Sequence, residues 1–158
     1  RRTGDVVRAR PEGSTVMRRA WVLMVVLMAS CAPAATVPVT FDAAHEACAF
    51  CRMTGSNGRA AGQLVTPGEE PLFFDDIGCL RDYLAKTPAA KGAVAFVTDY
   101  TTREWLRADE AIFVMQPTVE TPMGSHLIAF ASETTRQNEP AAAGGSRVTT
   151  IEILGKKQ

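Results

Sequence analysis

Apolar and polar residues alternate along the first half of the chain in a pattern that predicts strands and one helix. Three short apolar runs, bounded by turn-forming residues, predict strands at residues 59–66, 71–75 and 93–97. Between the last two runs, Ile77, Leu80 and Leu84 lie at helical spacing on one face. Asp76, directly before them, is a residue type that caps helices. The predicted order is β, β, α, β.

The same order of elements is predicted again in the second half. Strands are expected at residues 111–115, 126–132 and 147–154, and a weak helix at residues 133–142. Pro140 interrupts this second helical pattern. The sequence therefore predicts an α+β fold with two small, similar ββαβ domains in tandem, at residues 45–98 and 111–155. A connector at residues 99–110 joins them.

The segment that begins at Met17 has the pattern of a bacterial lipoprotein signal. Two arginines precede an apolar stretch at residues 20–28, which is too short to span a bilayer comfortably. Small residues then lead directly to Cys31, the position that is acylated in such signals and becomes the first residue of the mature protein. We therefore expect residues 1–31 to be an upstream segment and signal peptide, and residues 32–44 to be a tether.

This signal pattern predicts a periplasmic protein that is anchored to the membrane through a lipid on Cys31. Ala32, rather than an aspartate, follows the cysteine, which by resemblance to lipoprotein sorting signals favours the outer membrane. The alternative is an ordinary signal peptide with an incidental cysteine.

Charge and cysteine count narrow the range of functions. The 17 basic and 17 acidic residues give a formal net charge of zero, so nucleic acid is not expected as a partner.

Of the four cysteines, one is assigned to the lipid, which leaves Cys48, Cys51 and Cys79. A disulfide framework alone does not explain an odd number. Because an exported chain meets an oxidising environment, we expect at least one of these thiols to have a function.

The segment CAFCRM brings Cys48, Cys51 and Met53 close together in the sequence. Thiolate and thioether sulfurs are soft donors that select Cu(I), whereas zinc rarely binds a thioether. In an extended segment, residues 51 and 53 project to the same side, where both sulfurs can bind a single ion. The alternatives are a disulfide or a thioredoxin-like redox pair for the cysteines, and a core-filling role for Met53.

Cys79 falls in the first turn of the predicted first helix. The helix dipole favours a thiolate at that position. The alternative is a small buried side chain that packs beside Tyr83.

The segment TPMGSH places Met123 and His126 between a loop and a predicted strand, where binding residues are commonly held. His126 shares one face of that predicted strand with Ile128 and Phe130. If those apolar residues face the core, the imidazole turns inward as well and needs a polar partner or a metal ion.

The chain resembles the NosL family, the accessory lipoproteins of nitrous oxide reductase maturation, in four segments that follow in order: CAFCRM, FFDDIGCLRDYL, VTDYTTREWLRADEAIFV and TPMGSHLIAF. The resemblance implies a periplasmic protein that binds Cu(I) and carries it toward the copper centres of the reductase. It also implies a pair of similar ββαβ domains. It places the first family motif on Cys48, Cys51 and Met53, and the later methionine on Met123.

The leading hypothesis is a Cu(I) metallochaperone for denitrification with no catalytic activity of its own. Cys48, Cys51 and Met53 form the soft site, with Met123 and His126 as completing ligands. The expected partners are a copper-receiving client or its maturation ABC-transporter machinery, and the membrane through the lipid. Two alternatives stay open: a thiol-disulfide oxidoreductase that uses the cysteine pair, and a structural zinc module built from the three cysteines and a histidine.

Overall fold

The computed structural model describes residues 36–40, 42, 45–54 and 58–155. The predicted signal peptide and the lipid-bearing Cys31 lie outside these residues. Within the described part of the chain, no helix combines the length and the apolar character needed to cross a membrane.

The first half folds into a four-stranded antiparallel sheet. Its strands are β1 (Gly62–Val65), β2 (Leu72–Phe74), β3 (Val94–Thr98) and β4 (Trp105–Arg107), in the spatial order β2-β1-β3-β4. Helix α1 (Ile77–Lys86) follows β2, and the side chain of Asp76 caps it by accepting a hydrogen bond from the Gly78 amide. The predicted β, β, α, β order is therefore present, and β4 is an additional strand.

Residues 99–110, predicted as a connector, contain strand β4, which was not predicted. The Asp99 carboxylate accepts hydrogen bonds from the amides of Thr101 and Thr102, which closes a tight turn. That turn returns the chain alongside β3, where Thr98 pairs with Trp105. A strand of three residues is too short to show an alternating apolar pattern, so the turn chemistry determines it.

The second half forms a three-stranded antiparallel sheet in the order β6-β5-β7. Its strands are β5 (Ile112–Met115), β6 (Leu127–Phe130) and β7 (Ser146–Val148). The helical segment after β6 is broken as the proline predicts, with α2 (Glu133–Asn138) followed by a short 3-10 helix (Pro140–Ala142).

The predicted final strand at residues 147–154 is wrong in its second part. Strand β7 ends at Val148, and α3 (Thr150–Leu154) follows it. The Thr149 side chain accepts a hydrogen bond from the Glu152 amide, and the Glu152 carboxylate accepts one from the Thr149 amide. This reciprocal capping box starts a helix in a segment whose Thr and Ile content favours a strand.

Both sheets contribute to one cluster of buried apolar side chains. Leu80 of α1, Val97 of β3, Phe113 of β5, Leu127 of β6 and Ile153 of α3 all belong to it. Over the residues that the structure describes, the fold is thus mixed α and β, with two antiparallel sheets and three α-helices, which confirms the predicted class. The division into two tandem ββαβ domains stays a prediction.

Candidate metal centre

The segment from Cys48 to Met53 forms a tight loop around a buried sulfur atom. The Cys48 amide donates to the Met53 carbonyl at 2.9 Å, and the Arg52 amide donates to the Cys48 carbonyl at 3.0 Å. Arg52 adopts a left-handed backbone conformation with φ of 68°, which allows this return. The Cys51 amide therefore points at the Cys48 sulfur, 3.5 Å away. The loop therefore brings Cys51 next to the sulfur atom of Cys48.

The junction between β2 and α1 supplies two more donors. Asp75 follows β2 and is only 5% exposed, and Cys79 is the third residue of α1 and 2% exposed. The Cys51 thiol lies 3.6 and 3.8 Å from the two oxygens of the Asp75 carboxylate. The loop is fixed to this junction because the Ala49 amide donates to the Phe73 carbonyl at 2.7 Å.

Four donor atoms converge at this point. The sulfurs of Cys48, Cys51 and Cys79 and a carboxylate oxygen of Asp75 all lie within 4.8 Å of one another. Thiolate ligands about 2.3 Å from a tetrahedral ion are separated by about 3.8 Å, so closing the cluster on an ion requires at most about an ångström of contraction. The geometry fits a small soft ion. We call these four residues the thiol cluster.

Two thiols of the cluster, those of Cys51 and Cys79, have raised pKa values. Burial raises the pKa of Cys51 and Cys79, and the negative charge of the neighbouring Asp75 raises both further. The thiols of Cys51 and Cys79 are therefore neutral near pH 7, which makes them poor nucleophiles. A bound cation would replace these protons.

Met53 and Met123 are placed at the surface, with 45% and 44% of their area exposed. Exposure of this size excludes the core-filling alternative for Met53. Thioether sulfurs at a surface are accessible to an incoming or departing soft ion. Whether either methionine binds the ion of the thiol cluster stays a prediction.

His126 lies just before β6, in a left-handed backbone conformation with φ of 58°. The expectation that it starts the strand and shares a face with Ile128 is therefore wrong, since alternation does not extend through a residue of this conformation. Its Nδ1 lies 2.8 Å from the Val119 carbonyl. A carbonyl only accepts, so Nδ1 donates this hydrogen bond, and Nε2 is the ring nitrogen that could bind a metal ion. Histidines that bind metals are commonly held in this way.

The sequence identified three of the four members of the thiol cluster and missed Asp75. Cys48 and Cys51 were predicted as ligands, and Cys79 appeared only in the zinc alternative and as a thiol at a helix start. Asp75 was overlooked because the Asp-Asp pair was interpreted only as a helix cap. The signal that identifies it is the spacing of four residues between Asp75 and Cys79 across the start of a helix.

Comparison with known proteins gives one match. The model of the NosL family matches residues 38–156, which is well over half of the chain. Neither the comparison with curated proteins nor that with solved structures finds a match. The matched region includes the thiol cluster, Met53, Met123 and His126, and the chain belongs to the NosL family.

Proposed function

We propose that this protein is a Cu(I) metallochaperone of the periplasm, held at the outer membrane by a lipid on Cys31, that supplies copper for nitrous oxide reductase maturation. One observation carries the proposal: three cysteine sulfurs converge within 4.8 Å. Membership of the NosL family supports a copper-related role. In this role the protein holds and releases an ion and catalyses no reaction.

The donor set suits Cu(I) because sulfur provides most of it. Cu(I) is a soft ion, and Cys48, Cys51 and Cys79 offer it three soft ligands. The Asp75 carboxylate is a hard donor that adds little to a bond with Cu(I). Met53 and Met123 then provide exposed thioethers through which the ion can be exchanged. We place the resting position of the ion in the thiol cluster and its exchange at the methionines, with His126 as a completing ligand.

The oxidoreductase alternative is less well supported by the environment of the cysteines. A catalytic thiol of that class attacks as a thiolate, so its pKa is usually lowered. Here burial raises the pKa of Cys51, and the neighbouring Asp75 acts in the same direction. A thiol in this environment is better suited to releasing a proton to an incoming metal ion than to attacking a disulfide.

The zinc alternative has a specific observation in its favour. The fourth member of the thiol cluster is Asp75 rather than a histidine, and three thiolates with one oxygen donor form a tetrahedral set that Zn(II) accepts. The two ions make opposite demands on Asp75. Zn(II) needs the carboxylate to complete its coordination, whereas Cu(I) is satisfied by the three sulfurs.

The partners that we propose follow from this role. The copper-receiving client, or the ABC-transporter machinery of its maturation, takes the ion from the exposed methionines, and the membrane is contacted through the lipid. The formal net charge of zero gives no reason to expect nucleic acid.

Metal analysis tests the proposal. The protein is purified from the membrane fraction under reducing conditions, and its copper and zinc contents are measured per chain. The proposal predicts copper close to one equivalent and little zinc. Met53→Ala and Met123→Ala should lower copper retention, whereas the control Met115→Ala should not, because Met115 is a similarly exposed methionine on β5. Zinc in place of copper would support the structural zinc module.

A further inference from the structure

The Asp76 carboxylate receives four hydrogen bonds although it is completely buried. One comes from its own helix, where the Gly78 amide donates to Oδ1 at 2.6 Å. The other three come from residues 121–125: the Thr121 hydroxyl at 2.7 Å and the Met123 amide at 2.9 Å to Oδ2, and the Ser125 hydroxyl at 2.5 Å to Oδ1. A single side chain thus fixes a loop that is more than forty residues away in sequence.

The two segments that meet at Asp76 carry different parts of the proposed copper site. Asp75 and Cys79 of the thiol cluster flank it on the side of α1. Met123 and His126 belong to the loop on the other side. The contact is close, because a Cβ atom at Gly78 would lie 2.5 Å from the Ser125 Cβ. The loop therefore packs directly on the backbone of the first turn of α1.

The hydroxyl groups continue this connection to His126. The Thr121 hydroxyl, which donates to Asp76, accepts a hydrogen bond from the His126 amide at 3.1 Å. The Ser125 hydroxyl likewise accepts one from the Leu127 amide at 3.2 Å. The left-handed conformation of His126 is unfavourable for a residue other than glycine, and contacts of this kind stabilise it.

Capping α1 does not by itself explain an aspartate at this position. Asparagine or serine caps a helix equally well, and a buried carboxylate is costly unless it is fully hydrogen-bonded. Only a carboxylate offers two oxygens that accept from four donors without presenting a donor of its own. The loop contacts are what require both oxygens.

We propose that Asp76 is a positioning residue of the copper site, which holds Met123 and His126 at the helix that carries Cys79. This inference rests on the proposed function. Asp76 does not bind the ion. It fixes the loop so that the thioether and the imidazole are available to an ion at the thiol cluster.

Asp76→Asn tests this role because it separates the cap from the loop. The asparagine oxygen can still accept from the Gly78 amide, whereas its NH2 group would face the Met123 amide, donor against donor. We expect the Cu(I) affinity, measured by chelator competition, to fall by about 10–100-fold, as for loss of other partners that orient metal ligands. In the metal-free protein, hydrogen exchange at the Met123 amide should become faster.

Asp99→Asn is the matched control. Asp99 is 1% exposed and its carboxylate also accepts from backbone amides, those of Thr101, Thr102 and Ala131. The substitution therefore disturbs a comparable buried carboxylate that makes no hydrogen bond to residues 121–126. It should leave Cu(I) affinity and exchange at the Met123 amide unchanged.

A double-mutant cycle distinguishes positioning from a general structural role. In the background of Met123→Ala with His126→Gln, Asp76→Asn should have no further effect on Cu(I) affinity, because the residues that it positions are gone. An equal loss in both backgrounds, or parent-like affinity of Asp76→Asn, overturns the inference. If Asp76→Asn does not fold, Thr121→Val and Ser125→Ala remove the same contacts from the loop side. These variants should also lower Cu(I) affinity in the parent and not in the background of Met123→Ala with His126→Gln, and an equal loss in both backgrounds or parent-like affinity again overturns the inference. Failure of the parent itself to bind Cu(I) overturns the proposed function instead.

Discussion

At the scale of single residues, the role of Asp75 differs between the two metal ions considered for the thiol cluster, Zn(II) and Cu(I). Its carboxylate is buried and lies beside the half-buried Cys51 thiol. For Zn(II) it would be a ligand, whereas for Cu(I) it would be a neighbouring negative charge that favours protonated thiols. Its removal should therefore have opposite effects on the two affinities.

Asp75→Asn should weaken Zn(II) binding by about tenfold or more, since one of the four ligands is lost or replaced by a poorer one. Cu(I) affinity at neutral pH should be unchanged or higher, because the negative charge that raises the pKa of Cys51 and Cys79 is gone. Competition titrations, each with a chelator specific for one ion, measure the Zn(II) and Cu(I) affinities. A loss of Cu(I) affinity with unchanged Zn(II) affinity would show that the assignment of Asp75 is reversed.

The raised thiol pKa values predict that Cu(I) binding releases protons. Cys51 and Cys79 are protonated near pH 7 when no metal is bound, so each thiolate that forms a bond must first lose its proton. The apparent Cu(I) affinity should consequently rise as pH increases through the neutral range. Calorimetry in two buffers of different ionisation enthalpy measures the proton count, and a count of zero would contradict protonated thiols.

At the scale of elements, the start of α1 is the most constrained part of the fold. Asp76 caps the helix, Cys79 joins the thiol cluster, and Gly78 leaves room for the loop that carries Ser125. Residues 76–79 therefore meet three requirements at once: the helix cap, a thiol of the cluster and the close approach of the loop. A substitution here is expected to disturb packing between segments as well as the helix itself.

Gly78→Ala should destabilise the protein by about 1–3 kcal/mol, although alanine is normally the better helix residue. The reason is the 2.5 Å approach of the added Cβ to the Ser125 Cβ. Thermal unfolding measures the effect. Ser125→Gly removes the opposing Cβ together with the hydroxyl that donates to Asp76, so the comparison is made within that background, where adding Gly78→Ala should cost less stability than it costs the parent. A Gly78→Ala protein more stable than the parent would contradict the close contact.

The sequence predicted those elements whose pattern is local. The cap at Asp76 and the apolar face of Ile77 and Leu80 determine α1, and the structure confirms it. Strand β4 and helix α3 were missed because a turn and a capping box determine them more than apolar periodicity does. The hydrogen bonds of Asp76 to residues 121–125 could not be predicted, since contacts between distant segments produce no periodic pattern in a single sequence.

At the scale of the whole molecule, a contact across 24 positions of the sequence joins Val39 to strand β1. The Gln63 side chain is fully buried, and its amide pairs with both backbone groups of Val39, at 2.9 Å to the amide and 3.2 Å to the carbonyl. Val39 is therefore held beside β1.

Cys31→Ser should release the protein from the membrane fraction, because a serine cannot accept the thioether-linked lipid of a lipoprotein. Fractionation of the periplasm and membranes measures this. Cys79→Ser is the matched control, since it alters a thiol of the metal site and should leave the protein with the membranes. A Cys31→Ser protein that fractionates like the parent would exclude the lipid anchor.

The most direct test of a Cu(I) site in the thiol cluster is a competition titration against a Cu(I)-specific chelator under reducing conditions. The parent is compared with the variant in which Cys48, Cys51 and Cys79 are all replaced by serine. The parent should take one Cu(I) per chain from the chelator and the triple variant none, because the three sulfurs that converge within 4.8 Å are then absent. A triple variant that competes as well as the parent would contradict the assignment of copper to this cluster.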